Sequence, residues 1–369
     1  MIPVFEPVLG KKEIEYVNDC LNTNWISFGG KYNKKFEEEF AKYCGVKYGI
    51  ATTNGTTALH LALLALKIGK GDEVIINDFT MASPAFAVEY VGAKPIFVDA
   101  DRKTWNIDVN KIEIKITKKT KAIIVVHIYG HPCDMDPIMK IAKKHNLKVI
   151  EDCAEAHGAE YKGKRVGSFG DVSAFSFYAN KIITTGEGGM IVTNDAKLAE
   201  RARWLHSLAF DKERKHIHEE IGYNFRMSNI TAAIGLGQLE RIDETIEKKR
   251  WIAKTYNKYL KNIKGITTPV EEKYAKNVYW MYGIVIENEF GTPRDELKKK
   301  LFEAGIDTRY FFWPMHAEPC FKQHKYNPKD YPVSTELSKK GLYLPSGLNL
   351  TEEQIKTICK KIEEVQSKK

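Results

Sequence analysis

The sequence predicts an α/β protein of two domains. A large domain (residues 1–245) would have a mainly parallel mixed sheet flanked by helices, and a smaller α+β domain would follow (residues 246–369). The 369 residues exceed the size at which one hydrophobic core stops growing. Short β-branched runs alternate with helical stretches between about Lys47 and Thr193. Beyond this region a long helical segment leads into a mixture of strands and helices.

The elements of the large domain follow one another in a regular order. We expect strands at residues 48–51, 73–76, 95–99, 122–126 and 148–152, and helices at residues 57–66, 87–91 and 136–144. The third and fourth strands are almost continuously apolar, as expected for strands that are covered on both faces. Two more strands, at residues 173–178 and 189–193, flank a glycine-rich bend.

A helical region from Ser228 to about Leu260 would carry the chain out of the large domain. Residues 278–286 are then predicted to form a strand, and Thr292 with Pro293 to cap and open a helix. Residues 351–354 have the capping-box pattern at the start of the last helix. We find no internal repeat and no low-complexity linker to mark the boundary near residue 245.

Composition and charge indicate an ordinary globular protein, with 43% hydrophobic and 28% charged residues. No run approaches the roughly 20 apolar residues that span a bilayer, and the first residues do not resemble a signal peptide, so we predict a cytoplasmic protein. The six cysteines lack C-x-x-C spacing, which indicates buried free thiols rather than a metal site. The net charge of +9 would suit anionic ligands, nucleic acid included, but lysine-rich solvated helix faces such as Glu247–Arg250 also explain it.

The first candidate for binding chemistry is a Gly-Thr-Thr turn, Gly55–Thr57, between a strand and an apolar helix. Free backbone N–H groups and the positive end of the helix dipole make such a helix start a site for anions. The threonine hydroxyls add further donors. The turn therefore indicates phosphate binding, unless Thr56 or Thr57 only caps the helix.

Asp152 stands at the carboxyl end of the predicted strand 148–152, where ligands bind in open α/β sheets. Its carboxylate is suited to keep a pyridinium nitrogen protonated. At about 3 Å and an effective dielectric constant of about 20, this pair is worth roughly 5 kcal/mol before desolvation. The charged ring would then act as an electron sink. The alternative is an aspartate that only caps the loop after the strand.

Lys181 lies between two apolar strands, just before the glycine-rich stretch Gly186–Gly189, where backbone can approach a ligand closely. Most lysines lie on solvated surfaces, but burial here would lower the pKa of the amine and free it to form an imine. Ser176, five residues earlier, is placed to reach a phosphate.

The order of these features favours pyridoxal 5′-phosphate as the cofactor. A phosphate turn, a strand-end aspartate and, about thirty residues later, a lysine follow one another along the chain. No G-x-G-x-x-G follows the first strand and no G-x-x-x-x-G-K-[ST] occurs, so neither a nicotinamide nor a P-loop pattern competes.

Four segments closely resemble motifs of the fold-type I nucleotide-sugar aminotransferases, the DegT-like family, and the resemblance covers nearly the whole chain. The segments are Asn54–Leu59, Glu151–Ala159, Ser176–Gly189 and Gly222–Asn229. The resemblance implies a fold-type I aminotransferase fold, pyridoxal phosphate as cofactor, and L-glutamate and a nucleotide-linked keto sugar as substrates.

The resemblance also implies roles for single residues. Lys181 would form the Schiff base with the cofactor and shuttle protons, and Asp152 would pair with the pyridine nitrogen. Gly55–Thr57 and Ser176 would surround the phosphate. Asn224 would reach the phosphate of the neighbouring subunit's cofactor, so a homodimer with a shared active site is expected.

Two positions near the cofactor depart from the common pattern of the family. Glu155 stands where many members carry Gln, and Met81 stands where members often carry an aromatic residue that stacks on the pyridine ring. A thioether also packs on aromatic faces, so the cofactor is still expected while its stacking partner is open.

A subgroup is indicated by Glu155, Ala179–Glu187 and Phe311–His316, which resemble the GDP-perosamine synthases. This implies transfer of the amino group of glutamate to carbon 4 of GDP-4-keto-6-deoxymannose. Enzymes that act on UDP- or dTDP-linked keto sugars share most of these motifs and are the alternative.

Contacts to the sugar substrate are less well indicated. Tyr310 and His316 are candidates for the sugar, with aromatic core packing as the alternative, and Lys31 and Arg309 are candidates for the diphosphate. Two rival functions share the fold. A sugar 3-dehydratase normally carries His at the position of Lys181, and a non-catalytic regulatory protein would not need the lysine and the strand-end aspartate intact. Binding of nucleic acid rests on charge alone and predicts tight, salt-sensitive retention on DNA.

Overall fold

The computed structural model describes residues 1–211, 213–214 and 216–366. The helices in this part of the chain are α1 (Lys11–Asn22), α2 (Lys31–Cys44), α3 (Gly55–Ala65), α4 (Ser83–Tyr90), α5 (Met135–His145), α6 (Ala196–His206), α7 (Asn229–Leu239), α8 (Ile242–Leu260), α9 (Arg294–Glu303), α10 (Pro332–Lys340) and α11 (Glu352–Val365). The strands are β1 (Tyr48–Thr52), β2 (Glu73–Asn77), β3 (Lys94–Val98), β4 (Thr120–Val126), β5 (Lys148–Asp152), β6 (Glu160–Tyr161), β7 (Lys164–Arg165), β8 (Val172–Ser176), β9 (Gly189–Thr193), β10 (Ile266–Thr267), β11 (Ala275–Lys276), β12 (Tyr282–Ile286), β13 (Arg309–Tyr310) and β14 (Gly341–Leu344).

Seven strands form the central sheet in the order β1-β9-β8-β5-β4-β2-β3. The neighbours from β8 to β3 are parallel, whereas β9 is antiparallel to both β8 and β1. Parallel strands need a connection that crosses over the sheet, whereas antiparallel strands can be joined directly at one end. The glycine-rich segment joins β8 to the antiparallel β9 in this direct way. The prediction of a mainly parallel mixed sheet flanked by helices is confirmed. Since β4, β5 and β8 are parallel, their carboxyl ends meet at one edge.

The helix after β1 is set by its first residues and by its apolar surface. It begins at Gly55 rather than Thr57, because the side chain of Asn54 accepts the backbone N–H of Thr57 at 2.9 Å and caps the helix. Most of its apolar residues, Leu61 and Leu63 among them, are buried between the sheet and neighbouring helices.

The second sheet, with the order β10-β12-β14-β13, is antiparallel and packs with α8, α9 and α11 around a core of its own. The predicted helical region Ser228–Leu260 is two helices, and the predicted boundary at residue 245 lies inside the second one. The break falls at Glu240–Arg241, where the Arg241 guanidinium bonds the carboxylate of Glu13 at 2.8 Å.

Some boundaries differ from the prediction for local reasons. The strand expected over residues 278–286 begins only at Tyr282, because Tyr279 has a φ of 48°, which is incompatible with a strand. Pro293, not Thr292, is the N-cap residue of α9, and the Thr292 hydroxyl instead donates to the carbonyl of Val365 at 2.9 Å. The capping box at the start of α11 is confirmed.

Two expectations about exposure are wrong. Lys249, in the stretch expected to be a solvated helix face, is 1% exposed, because α8 packs this side against the junction with the small domain. Cys320 is exposed, whereas the other five free cysteines are buried. Among the described residues, no helix is both long and apolar enough to cross a membrane.

Candidate active site

A cavity of about 630 Å³ lies at the edge where β4, β5 and β8 end. Cavities of this size hold small ligands and cofactors. It is lined by eight of the nine residues predicted to contact the cofactor, namely Gly55, Thr56, Thr57, Met81, Asp152, Glu155, Ser176 and Lys181. The structure therefore brings together residues that are up to about 126 positions apart in sequence.

One end of the cavity is formed by the first turn of α3, which has free backbone N–H groups. Because Asn54 caps α3 and takes the N–H of Thr57, the interpretation of Thr56 or Thr57 as the cap is wrong. The N–H groups of Gly55 and Thr56 have no acceptor in the described part of the protein. A Cβ atom at Gly55 would lie 2.6 Å from the Cβ of Ser176, so only glycine lets these two walls approach. This arrangement fits a phosphate group.

Asp152 supplies the negative charge of the cavity. It is 4% exposed at the end of β5, and the backbone N–H of Ala154 donates to its Oδ1 at 3.0 Å. Its Oδ2 has no hydrogen-bond partner among the residues described. Burial raises the pKa of this carboxyl, while the charge of Lys181 lowers it. A buried carboxylate with one oxygen unpaired fits a protonated ring nitrogen.

Lys181 lies on the far side of the β8–β9 bend and reaches into the cavity. Its Nζ is 3.9 Å from the centre of the Trp280 ring. Burial lowers the pKa of this amine, and the carboxylates of Glu155 and Asp152 act in the opposite direction. An amine whose neutral form is favoured by burial is a nucleophile and a proton acceptor.

Glu155 completes the group of interacting charges. Its Oε2 accepts the backbone N–H of Tyr129 at 2.7 Å, and the side chain is buried. Burial raises its pKa to about 7, the charge of Lys181 lowers it and that of Asp152 raises it. This carboxyl therefore changes its charge near neutral pH, which a glutamine in its place would not do.

Comparison with known proteins identifies the family. The model of the DegT/DnrJ/EryC1/StrS aminotransferase family matches residues 7–363. The chain belongs to this family. A GDP-perosamine synthase of Escherichia coli O157:H7 is 49% identical over 368 residues, which cover 100% of this chain and 99% of that protein. A GDP-perosamine synthase of Caulobacter vibrioides is 45% identical over 365 residues, with coverages of 99% and 98%.

Solved structures agree with this membership. The Streptococcus pneumoniae protein Spr1654 in its PLP-form is similar with a TM-score of 0.93 and 26% identity, covering 99% of this chain and 98% of that one. The predictions of an aminotransferase, of its fold type and of pyridoxal phosphate as its cofactor are confirmed. They are favoured over the sugar 3-dehydratase and over the non-catalytic protein.

The residues of the cavity fit pyridoxal phosphate on their own chemistry. The unpaired N–H groups at the start of α3, with Ser176 beside them, suit the phosphate. The unpaired oxygen of Asp152 suits the ring nitrogen, and the buried amine of Lys181 suits the aldehyde carbon. These roles of single residues remain predictions.

Two further predicted contacts are arranged differently. Met81 lies on the cavity wall, half-exposed, and its sulfur accepts the N–H and hydroxyl of Ser83 at 3.3 Å, so stacking on the ring stays a prediction. Asn224 does not line the cavity of its own chain; it is exposed, and its Oδ1 accepts the Nε–H of Arg226 at 2.9 Å.

None of the four predicted sugar and diphosphate residues lines this cavity. The ring of His316 is nearly buried, with Nδ1 2.8 Å from the carboxylate of Asp78, and it stacks on Tyr331 at 4.4 Å. The alternative of core packing thus describes His316 better than a sugar contact. Tyr310 is half-exposed, with the Arg294 guanidinium 4.2 Å above its ring.

The basic candidates lie nearer the rim and on a separate surface. Arg309 pairs with Asp307, and in the sheet it lies opposite Tyr343, which does line the cavity. Lys31 lies in another cavity, of about 220 Å³, where its Nζ is 2.8 Å from Asp19. Contact of either residue with a diphosphate stays a prediction.

The sequence did not point to the aromatic wall of the site. Trp280, Phe312 and Tyr343 line the cavity but belong to the last third of the chain. Trp280 and Tyr343 lie outside the motifs, and Phe312 lies in the segment Phe311–His316 without being singled out, because the position of all three depends on how the second sheet packs against the first.

Proposed function

We propose that this chain transfers the amino group of L-glutamate to carbon 4 of GDP-4-keto-6-deoxymannose, with 2-oxoglutarate and GDP-perosamine as products. One observation carries the proposal: Lys181, Asp152 and the unpaired N–H groups of α3 share one cavity. The two GDP-perosamine synthases that are 45% and 49% identical over the whole chain support the choice of sugar. UDP- and dTDP-linked keto sugars are the alternatives to be tested.

The protein supplies position and proton transfer. When bound, pyridoxal phosphate provides an electron-withdrawing ring that stabilises negative charge at the reacting carbon. Asp152 keeps the ring nitrogen protonated and so maintains that property. The Nζ of Lys181 accepts the α-proton of glutamate as a general base, and in the second half-reaction it delivers a proton to carbon 4 of the sugar. The aromatic side chains of Trp280 and Tyr343 line the cavity and reduce the contact of the reacting groups with water.

We further propose a homodimer in which Asn224 serves the partner's site. Two exposed apolar side chains, Trp25 and Phe28, lie in the segment between α1 and α2. The Arg226 guanidinium, which bonds Asn224, is 5.6 Å from the Phe28 ring. An exposed apolar patch next to an outward-facing polar side chain suits a second copy of the chain. A cytoplasmic location stays a prediction.

An absorbance experiment tests the reaction in two halves. Purified protein is incubated with pyridoxal phosphate, and a visible band of the bound cofactor is expected, which glutamate should convert to a near-ultraviolet band. GDP-, UDP- and dTDP-linked 4-keto-6-deoxy sugars are then added separately, and the one that restores the visible band is the substrate. Restoration by a UDP- or dTDP-sugar alone would overturn the GDP assignment.

Two variants test the residue roles. Lys181→Ala should form no visible band and show no turnover, and retained activity would contradict the role of the lysine. Mixing Lys181→Ala with Asn224→Ala subunits should restore activity, because one site of each hybrid dimer then has both residues intact. No recovery in verified hybrid dimers would place Asn224 in the site of its own chain.

A further inference from the structure

The interior of the junction between the two sheets contains a lysine without a counter-ion. Lys249, on α8, is 1% exposed, and no carboxylate of the described residues lies within 4.0 Å of its Nζ. Its ammonium donates to the backbone carbonyls of Trp280 at 2.9 Å and Ser346 at 2.6 Å, and lies 4.9 Å from the ring of Phe5. A buried, unpaired ammonium is costly, so its position calls for an explanation.

The first of these carbonyls belongs to the residue that covers the catalytic amine. Every polar group of Trp280 is fixed: its N–H donates to the carbonyl of Tyr129 at 2.9 Å, its carbonyl accepts from Lys249, and its indole N–H donates to the carbonyl of Asn180 at 2.6 Å. The indole ring then lies on the Nζ of Lys181 at 3.9 Å. With two hydrogen bonds on the backbone and one on the ring, the indole has little freedom to leave the amine.

The backbone around Trp280 is strained in a way that needs such support. Tyr279, the residue before Trp280, has a φ of 48°. Tyr129, whose carbonyl accepts the backbone N–H of Trp280, has a φ of 51°. Non-glycine residues seldom adopt this left-handed region, and it persists where surrounding contacts enforce it. The second carbonyl bonded by Lys249, that of Ser346, belongs to a residue whose N–H donates to Val4 at 2.8 Å. The ammonium thus joins three separate segments at this strained point.

We propose that Lys249 is a positioning residue: by binding the carbonyl of Trp280 it holds the indole on the amine of Lys181. The inference deepens the proposed function and depends on Lys181 carrying the cofactor. Lys249 itself touches neither the cavity nor the substrates. Its effect on the reaction is therefore transmitted through the Trp280 backbone and ring.

The test compares two neighbouring lysines of α8. Lys249→Met keeps the length of the side chain and removes the donor. Lys248→Met is the matched control, because Lys248 also donates to a backbone carbonyl, that of Leu350 at 2.8 Å, but makes no contact with Trp280. Each variant is combined with Trp280→Phe, which removes the indole N–H and keeps an aromatic ring. The readouts are kcat, KM for glutamate, and the pH midpoint of the visible band of the bound cofactor.

The proposal predicts a specific pattern across these variants. Lys249→Met should lower kcat roughly ten- to a hundredfold and shift the pH midpoint of the cofactor band, whereas Lys248→Met should change neither. In the Trp280→Phe background the effect of Lys249→Met should be much smaller, since both changes break one chain of contacts. Equal effects of the two lysine variants, or effects of Lys249→Met and Trp280→Phe that multiply independently, would overturn the proposal.

Two safeguards keep the result interpretable. If Lys249→Met does not fold, Lys249→Gln takes its place, because its side chain is one bond shorter than that of lysine and holds the Trp280 carbonyl less well. The proposal then requires it to move the cofactor midpoint in the same direction as Trp280→Phe, and opposite directions or no shift overturn it. The proposed function fails separately, through a wild-type protein that forms no cofactor band or a Lys181→Ala variant that still forms one.

Discussion

Replacing Glu155 by Gln should remove a pH-dependent loss of stability from the cofactor-free protein. The side chain is 2% exposed, and its one hydrogen bond to the protein is from the backbone N–H of Tyr129. The carbonyl oxygen of a glutamine can accept the same N–H, so the change removes the titrating group and keeps the packing. Any difference between the two proteins that varies with pH then originates from the carboxyl and from its interaction with Lys181.

The size of the effect follows from the pKa of Glu155. Burial raises it from 4.5 in the unfolded chain to about 7 in the folded protein. Because the folded pKa is the higher one, the native state favours the protonated form, and this contribution to stability is fully present below about pH 4.5. It decreases as the pH rises and is lost above about pH 7, which amounts to about 3 kcal/mol.

The measurement is the free energy of unfolding in urea between pH 5 and pH 8, at fixed protein concentration because a dimer is expected. The free energy of Glu155→Gln minus that of the wild type should increase with pH and level off above about pH 7. Glu187→Gln, which changes an exposed carboxyl in the same cavity, is the control for the loss of a carboxyl at this site. A flat or falling difference for Glu155→Gln would refute the reasoning.

Four other outcomes are expected. Asp152→Asn should bind the cofactor but lower kcat by a factor on the order of a hundred or more, because an amide cannot hold the ring nitrogen protonated; stopped-flow absorbance with glutamate measures this, and an unchanged rate would contradict it. Gly55→Ala should weaken cofactor binding at least about tenfold, since the added methyl group collides with Ser176; equilibrium dialysis gives the Kd. Arg309→Ala should raise KM for the nucleotide sugar and leave that for glutamate unchanged in steady-state assays. Thr351→Ala should cost about 1 kcal/mol of stability through loss of the α11 cap, with kcat unaffected.

Local sequence signals predicted most of the large domain and one wall of the site. Asp152 and the turn Gly55–Thr57 were found because they stand at the end of a strand and the start of a helix, and Lys181 because it lies between two apolar strands just before a glycine-rich stretch. Parallel strands bring such ends to one edge whatever the rest of the chain does. For this reason the sequence pattern is enough to group residues that lie far apart along the chain.

The errors arose where position depends on packing between distant segments. A run of charges at Glu247–Arg250 is typical of a solvated face, but Lys249 lies three residues after Ile246 and three before Ile252, on the buried side of α8, whereas Lys248 is not buried. Likewise His316 follows an aromatic run, but whether it faces a ligand or Asp78 depends on the docking of the second sheet. Helical periodicity marks the buried face, but the acceptors that a polar side chain meets on that face belong to distant segments and are a tertiary property.

The same exclusion of water acts in opposite directions on the two titrating groups beside the cofactor. It lowers the pKa of Lys181 and raises that of Glu155, so it favours the neutral form of both, while their mutual attraction favours the charged forms. With a glutamine at position 155, no charge at this position opposes the effect of burial on the pKa of Lys181. The amine is then neutral over a wider pH range. A glutamate keeps the proton balance of the pair adjustable near pH 7. The identity of residue 155 therefore changes the balance between the neutral and the charged amine of Lys181.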